Sequence, residues 1–340
     1  MKQIPIILIG KGNVGKAFIE LLVEKREVIK ERYSLDFFLQ GIFRSTGGAM
    51  LPKEEASHLF FFPDNCLESS PWWQNGYSFL DAPVNKLSPG VVVLTTVSSL
   101  ETGEPGFAYL QQALSSGWHV VTADKGPLIN NFRCLRREAE RQGLSLKYST
   151  CTAAALPTVD VALTSLAGAE IIRVEGILNG TTNFILSRME EGVSFEEALV
   201  EAQSKGIAEP DPTRDLEGWD TAIKILLLAQ TIYDRDFQLA EVTREGIINL
   251  PLKEVQVIKR QGLALKLLGI IKRHQKDISL EVKLVPLEKE HPLYFVRGPE
   301  KGISFTTDSM SQVTVVGGKS DPRGAAAALL KDMINIFSPM

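Results

Sequence analysis

The residues that most constrain this fold lie at the start of the chain. There Ile4–Ile9, a short run rich in β-branched side chains, leads directly into Gly10-Lys-Gly12-Asn13-Val14-Gly15. A continuous apolar run of this length suits a strand buried on both faces. The residues that follow repeat apolar positions at helical spacing through Ala17, Leu21, Leu22 and Val28. In the order strand, G-x-G-x-x-G, helix, the glycines permit a tight turn and bring helix N-terminal amides close to a pyrophosphate. The arrangement predicts a Rossmann-like α/β domain whose loop Gly10, Gly12, Asn13, Val14 and Gly15 holds a dinucleotide. Pro5 has no amide to give a ladder, so it is expected among the strand's first residues.

Strands and helices continue to alternate. The next strand, Phe37–Phe43, ends at Arg44-Ser45-Thr46. In this fold an acidic residue here holds the ribose hydroxyls of NAD, whereas an arginine accommodates the 2′-phosphate of NADP. No Asp or Glu occurs from Phe37 to Lys53, so Arg44 favours NADP, with NAD as the alternative. Val91–Leu94 opens into Thr95-Thr96-Val97-Ser98, and hydroxyls at a strand's carboxyl end lie where such sheets bind ligands. Thr95, Thr96 and Ser98 are therefore candidate cofactor contacts. A helix from about Pro105 to Ser115 and a strand, His119–Thr122, then place Lys125 at the same edge, where a loop lysine is either a ligand contact or simply solvated.

Bulk properties exclude several classes. The 340 residues suit two domains with ample core. A net charge of −4, with acidic and basic residues interspersed, argues against a nucleic-acid footprint or a polybasic membrane surface. Cys66, Cys134 and Cys151 are odd in number and irregularly spaced, which suggests neither a disulfide framework nor a zinc site and makes a reducing compartment the expectation. With no leader pattern and no long apolar run, a cytoplasmic protein is expected.

Past about residue 145 the rhythm changes. Tyr148–Pro157, rich in small and hydroxyl residues, reads as a tight connection between domains. A strand, Ile171–Leu178, meets Asn179-Gly-Thr-Thr-Asn183 and then a helix, Phe184–Glu190, which Thr181 or Thr182 could cap, with free amides suited to an anion. A capping box opens the helix Ser194–Lys205. It delivers the chain into Glu209-Pro-Asp-Pro-Thr-Arg-Asp215-Leu-Glu-Gly-Trp-Asp220-Thr-Ala-Ile-Lys224, where the prolines bar a regular helix. Thr221–Tyr233 is then apolar nearly all round, with Lys224 its only charge. Such a helix is buried, and Asp220, one turn earlier, lies within reach of Lys224. Burial disfavours an ammonium and a neighbouring carboxylate restores it, a balance that suits a proton carrier. An ion pair anchoring a core helix explains the same residues. The last helix, Gly324–Phe337, has an alanine-rich face suited to packing back on the nucleotide domain, with Gly317-Gly318 as the crossing point.

Four stretches in this order resemble the homoserine dehydrogenase family over nearly the whole chain. They are Gly10-x-Gly12-x-x-Gly15, Val120-Val-Thr-Ala-Asp-Lys125-Gly-Pro, Gly176-Ile-Leu-Asn-Gly-Thr-Thr-Asn183, and Glu209-Pro-Asp-Pro with Asp215, Asp220 and Lys224. The resemblance implies interconversion of L-homoserine and L-aspartate 4-semialdehyde with NAD(P)H, a step of threonine and methionine biosynthesis. It implies a Rossmann-like nucleotide-binding domain, residues 1–145 completed by the C-terminal helix 318–340, and an α+β catalytic and dimerisation domain, 146–317. It implies a homodimer acting on a small molecule. The catalytic residues would be Lys224 as proton donor and acceptor, Lys125 beside the nicotinamide, and Asp220. Glu209, Asp215 and Asp220 would surround the substrate ammonium, and Gly180 and Thr181 would meet its carboxylate. The chain ends without the regulatory domain some members append, which implies no feedback inhibition there. Two other readings stay open: a dehydrogenase of this fold for another small amino or hydroxy acid, and a non-catalytic NADP-binding homologue.

The chain also departs from the family. Many members carry a glutamate after the junction tyrosine that helps bind a sodium ion; here it is Ser149, leaving the backbone carbonyls of Thr152, Ala154 and Leu156 as ligands. The glycine-rich entry to the last helix, where Gly317 would touch the cofactor, reads Gly-Gly-Lys-Ser-Asp-Pro-Arg323. Asp124 stands for a more usual asparagine.

Overall fold

A computed structural model describes residues 1–52, 64–275, 277–318 and 320–338. Of the expected C-terminal element, Lys319, Pro339 and Met340 lie outside the described residues, as does the side chain of Cys66. The chain divides into two compact units, Met1–Cys151 with Pro322–Met340, and Thr152–Asp321.

The first unit runs β1 (Lys2–Ile9), α1 (Asn13–Tyr33), β2 (Leu35–Arg44), β3 (Gly47–Met50), β4 (Trp73–Asn75), β5 (Val91–Leu94), α2 (Gly106–Ser115), β6 (His119–Thr122), α3 (Gly126–Arg141), β7 (Leu146–Lys147) and α4 (Ser149–Ala153), the last leading out of it. Its sheet has the order β4-β3-β2-β1-β5-β6-β7. Strands β2, β1, β5, β6 and β7 are parallel, and β3 and β4 add antiparallel edges. The apolar runs read from the sequence fill the core. Ile4, Ile6 and Leu8 of β1 pack with Phe18, Leu21 and Leu22 of α1, and Ala326, Leu329 and Met333 of the C-terminal helix Pro322–Phe337 join them. Each Ile, Leu, Phe or Met side chain buried this completely contributes roughly 1.5–3 kcal/mol.

Pro5 sits fourth in β1 rather than at its start. It is tolerated because β5 pairs with β1 only from Ile6 onward, so one flank of Pro5 has no ladder to complete.

The second unit runs β8 (Ile171–Ile177), α5 (Gly180–Glu190), α6 (Phe195–Ser204), α7 (Thr213–Leu216), α8 (Trp219–Tyr233), β9 (Thr243–Arg244), α9 (Leu252–Arg260), β10 (Ala264–His274), β11 (Asp277–Leu287), β12 (Lys301–Thr307) and β13 (Gln312–Gly317). The helix Pro322–Phe337 is α10. The sheet order is β13-β12-β8-β10-β11-β9, antiparallel except where β9 joins β11. Helix α8 lies against β10 at Gly269, where a β-carbon would come within 2.5 Å of Ile225 Cγ2. That close approach seats the helix carrying Lys224. Among the described residues no helix is long and apolar enough to cross a membrane.

Candidate active site

In the first unit the loop after β1 is shaped by contacts that only glycine allows. Gly10 has φ +96°, and a β-carbon there would lie 2.8 Å from the Thr95 carbonyl carbon. One on Gly15 would lie 2.4 Å from the Gly10 oxygen, whereas Gly12 faces open space. Gly12 is the N-cap of α1; it brings no side-chain cap, and the first turn, which includes Asn13, Val14 and Gly15, carries no acid. Its amides and the positive end of the helix dipole are left for an anion. These residues fit the pyrophosphate of a dinucleotide.

At the end of β2, Arg44 is half-exposed and its Nη1 lies 3.2 Å from Glu68 Oε1, which also accepts from Thr46 Oγ1. The sequence offered no acid near this strand end; the fold brings one from a turn 24 residues further on. Hydroxyls predicted to meet the cofactor are engaged within the unit. Thr95 Oγ1 donates to the Gly10 carbonyl at 2.7 Å. Thr96 Oγ1 and Ser98 Oγ donate to Asp124 Oδ2 at 2.7 and 2.6 Å. Buried Asp124 also accepts from the amides of Ser98 and Gly126. It thereby ties the loop after β5 to the one after β6, and it fixes the backbone on either side of half-buried Lys125. An acceptor-only carboxylate suits a centre to which every partner donates.

In the second unit a polar cluster forms around Asn179. Asn179, not Thr181 or Thr182, caps α5: its Oδ1 accepts from the Thr182 amide at 3.0 Å. The correction has a geometric cause, because β8 ends early enough for the helix to begin at Gly180. Asn179 Nδ2 reaches Asp215 Oδ1 at 2.8 Å and Asp220 Oδ2 at 3.0 Å. Lys224 Nζ lies 2.5 Å from Asp220 Oδ2 and donates to the Leu178 carbonyl at 2.7 Å. Burial pushes the Asp215 carboxyl up, and the neighbouring Asp220 charge adds to this; Lys224 and the hydrogen bonds from Asn179 and Thr181 oppose it. The single Thr181 hydroxyl proton is shared between the Ile207 carbonyl and the Asp215 carboxylate, so the amides of Gly180 and Thr181 are what the first turn of α5 offers a substrate carboxylate. Glu209 is exposed, and among the described residues no hydrogen bond or ion pair joins it to this cluster. Asn179 was missed by sequence reasoning, although an Asn before Gly-Thr-Thr is itself a capping signal.

The expected sodium ligands and Gly317 lie in the same unit. Thr152 Oγ1 is 2.6 Å from Thr158 Oγ1, Ala154 has φ +51°, and the Leu156 amide donates to the Ala153 carbonyl. Gly317 closes β13 opposite Lys301. Among the described residues no cluster of His, Cys, Asp and Glu could hold a metal ion. In the first unit the position of the family's glutamate, Ser149, is bonded to Asp332 and Lys331. Ser149 therefore brings no carboxylate to the expected sodium site, and its hydroxyl is already committed.

Comparison with known proteins covers both units. A sequence model of the homoserine dehydrogenase family matches residues 157–334. A homoserine dehydrogenase of Methanocaldococcus jannaschii is 35% identical, covering 98% of this chain and 98% of its own length. An NAD(+)-dependent homoserine dehydrogenase of Pseudomonas canavaninivorans is 30% identical over 99% of this chain and 97% of its own. The crystal structure of a homoserine dehydrogenase from Thiobacillus denitrificans matches with a TM-score of 0.83 at 26% identity, over 99% of this chain and 74% of that one.

Proposed function

This chain belongs to the homoserine dehydrogenase family, an oxidoreductase acting on a CH–OH group with a nicotinamide cofactor, and from that premise we propose how its residues divide the work. The substrate pair is L-homoserine and L-aspartate 4-semialdehyde. The observation that carries the reading is the buried Lys224, held by Asp220 and the Leu178 carbonyl. Two of its three protons are engaged among the described residues, leaving the third for a substrate oxygen.

When bound, a nicotinamide cofactor supplies or takes up the hydride. Gly10, Gly12, Asn13, Val14 and Gly15 would hold its pyrophosphate through helix amides, and Arg44 would meet the adenosine ribose or its 2′-phosphate. Lys125 would stand beside the nicotinamide. In reduction of the aldehyde, Lys224 stabilises the negative charge growing on the oxygen and then protonates it; in oxidation it takes the proton back. Asp220 keeps Lys224 aimed. Asp215 and Asp220, with Glu209 from the exposed head of the segment, receive the substrate ammonium, and the Gly180 and Thr181 amides receive its carboxylate.

NADP is the proposed cofactor on the strength of Arg44, with NAD accepted because Glu68 competes for the same guanidinium. A cytoplasmic homodimer completes the reading. Purified protein should reduce NADP or NAD with homoserine and oxidise NADPH or NADH with aspartate semialdehyde; turnover on neither would sink it.

A further inference from the structure

The misfit at the expected sodium site has a counterpart elsewhere in the second unit. Lys301 opens β12 and is among the largest fully buried side chains, at 0% exposure. An ammonium removed from water to this degree is costly unless oxygen atoms receive its protons. Lys301 Nζ donates to the Ala153 carbonyl at 2.5 Å. That carbonyl belongs to the last turn of α4, where helix carbonyls have no partner within the helix. It also lies between Thr152 and Ala154, two of the three residues whose carbonyls the family resemblance offers to sodium. Ala154, at φ +51°, turns the backbone into a left-handed conformation just beyond it. In the first unit the Ser149 amide and hydroxyl donate to Asp332 at 3.1 and 2.8 Å, and Lys331 Nζ lies 2.9 Å from the Ser149 hydroxyl. The ligand carboxylate at this position is thus replaced by a hydroxyl already committed on both sides, one partner being a second ammonium.

Resting on the family reading above, we propose that the side-chain ammonium of Lys301 is the resident cation of this chain, in place of the sodium ion that the family resemblance implies. Both are monovalent cations that a backbone carbonyl oxygen can receive, as the Ala153 carbonyl receives Lys301. The covalently held one has no binding equilibrium and needs no ion from solution. The positive charge of Lys301, bonded to the Ala153 carbonyl, opposes entry of another cation beside it. Stability and turnover are therefore independent of sodium.

The test compares thermal unfolding and turnover of the full chain in sodium, potassium and choline chloride at one ionic strength. A sodium-to-choline ratio of one for turnover, with the same Tm in all three salts, is expected. A rise in either quantity selective for sodium or potassium overturns the proposal. The thermal readout needs no substrate, so its failure is distinguishable from failure of the dehydrogenase assignment. Lys301→Met should lower Tm and turnover in choline, and a variant equal to wild type there would also overturn the idea. Should Lys301→Met not fold, Lys301→Arg keeps the charge and should remain indifferent to sodium; acquired sodium dependence in that variant would count against it.

Discussion

Lys224 shows how one side chain can join fold and the proposed chemistry. Its helix is buried because it is apolar, and its ammonium is tolerable there because Asp220, one turn earlier, and the Leu178 carbonyl receive it. Lys224→Ala should lower turnover by about 10²–10⁴-fold, the usual worth of a positioned acid–base group, with far less change in KM for homoserine. Steady-state kinetics in both directions measure this, and near wild-type turnover would remove the proton-transfer role. At the cofactor end, Glu68 holds the arginine expected to read a 2′-phosphate. An exposed pair of this kind is worth about 0.2–1 kcal/mol, so Glu68→Gln should raise the NADPH-over-NADH ratio of kcat/KM by a few-fold. An unchanged ratio would show that Arg44 and Glu68 do not face the adenosine end.

At the scale of elements, β8 carries chemistry of a different kind. Glu175 is buried in the middle of the sheet, its strand paired with β10 and β12. Burial by itself would push its carboxyl up. The neighbouring His291 and Arg173, the latter 2.6 Å away, outweigh this and hold it down at about 2. Because the folded value lies below the ordinary one, the stability Glu175 contributes is present above about pH 4.5 and is lost as pH falls toward about 2. Thermal unfolding of Glu175→Gln followed across that range should show a shallower acid decline than wild type; parallel curves would contradict the pairing. The elements also show where local reading stops. The strands β1, β5 and β6 and the helix α8 were legible because their apolar runs are local properties. The short β3 and β4, the latter only three residues long, carried no such signal. Asn179 was passed over as the cap of α5 because the strand end and helix start could not be fixed from spacing alone.

For the whole molecule, ligand binding is the measurable consequence of the proposed cofactor loop. Saturating NADP or NAD, at about a hundred times its Kd, should stabilise the protein by roughly 2.7 kcal/mol, read as a rise in Tm that Gly15→Val abolishes, since a side chain there collides with the Gly10 oxygen. No rise with either nucleotide would overturn the cofactor assignment. The sequence by itself determined the Rossmann-like first sheet, the apolar helix of Lys224 with its Asp220 partner, and the family, because each rests on short-range spacing or on motifs a few residues long. Only the tertiary structure decided which distant groups meet. It set Glu68 on Arg44, gathered Thr96 and Ser98 onto Asp124, centred Asp215 and Asp220 on Asn179, and buried Lys301 against the Ala153 carbonyl. These pairings join residues up to 148 positions apart. Their electrostatics come from burial and proximity, which no spacing along the chain encodes.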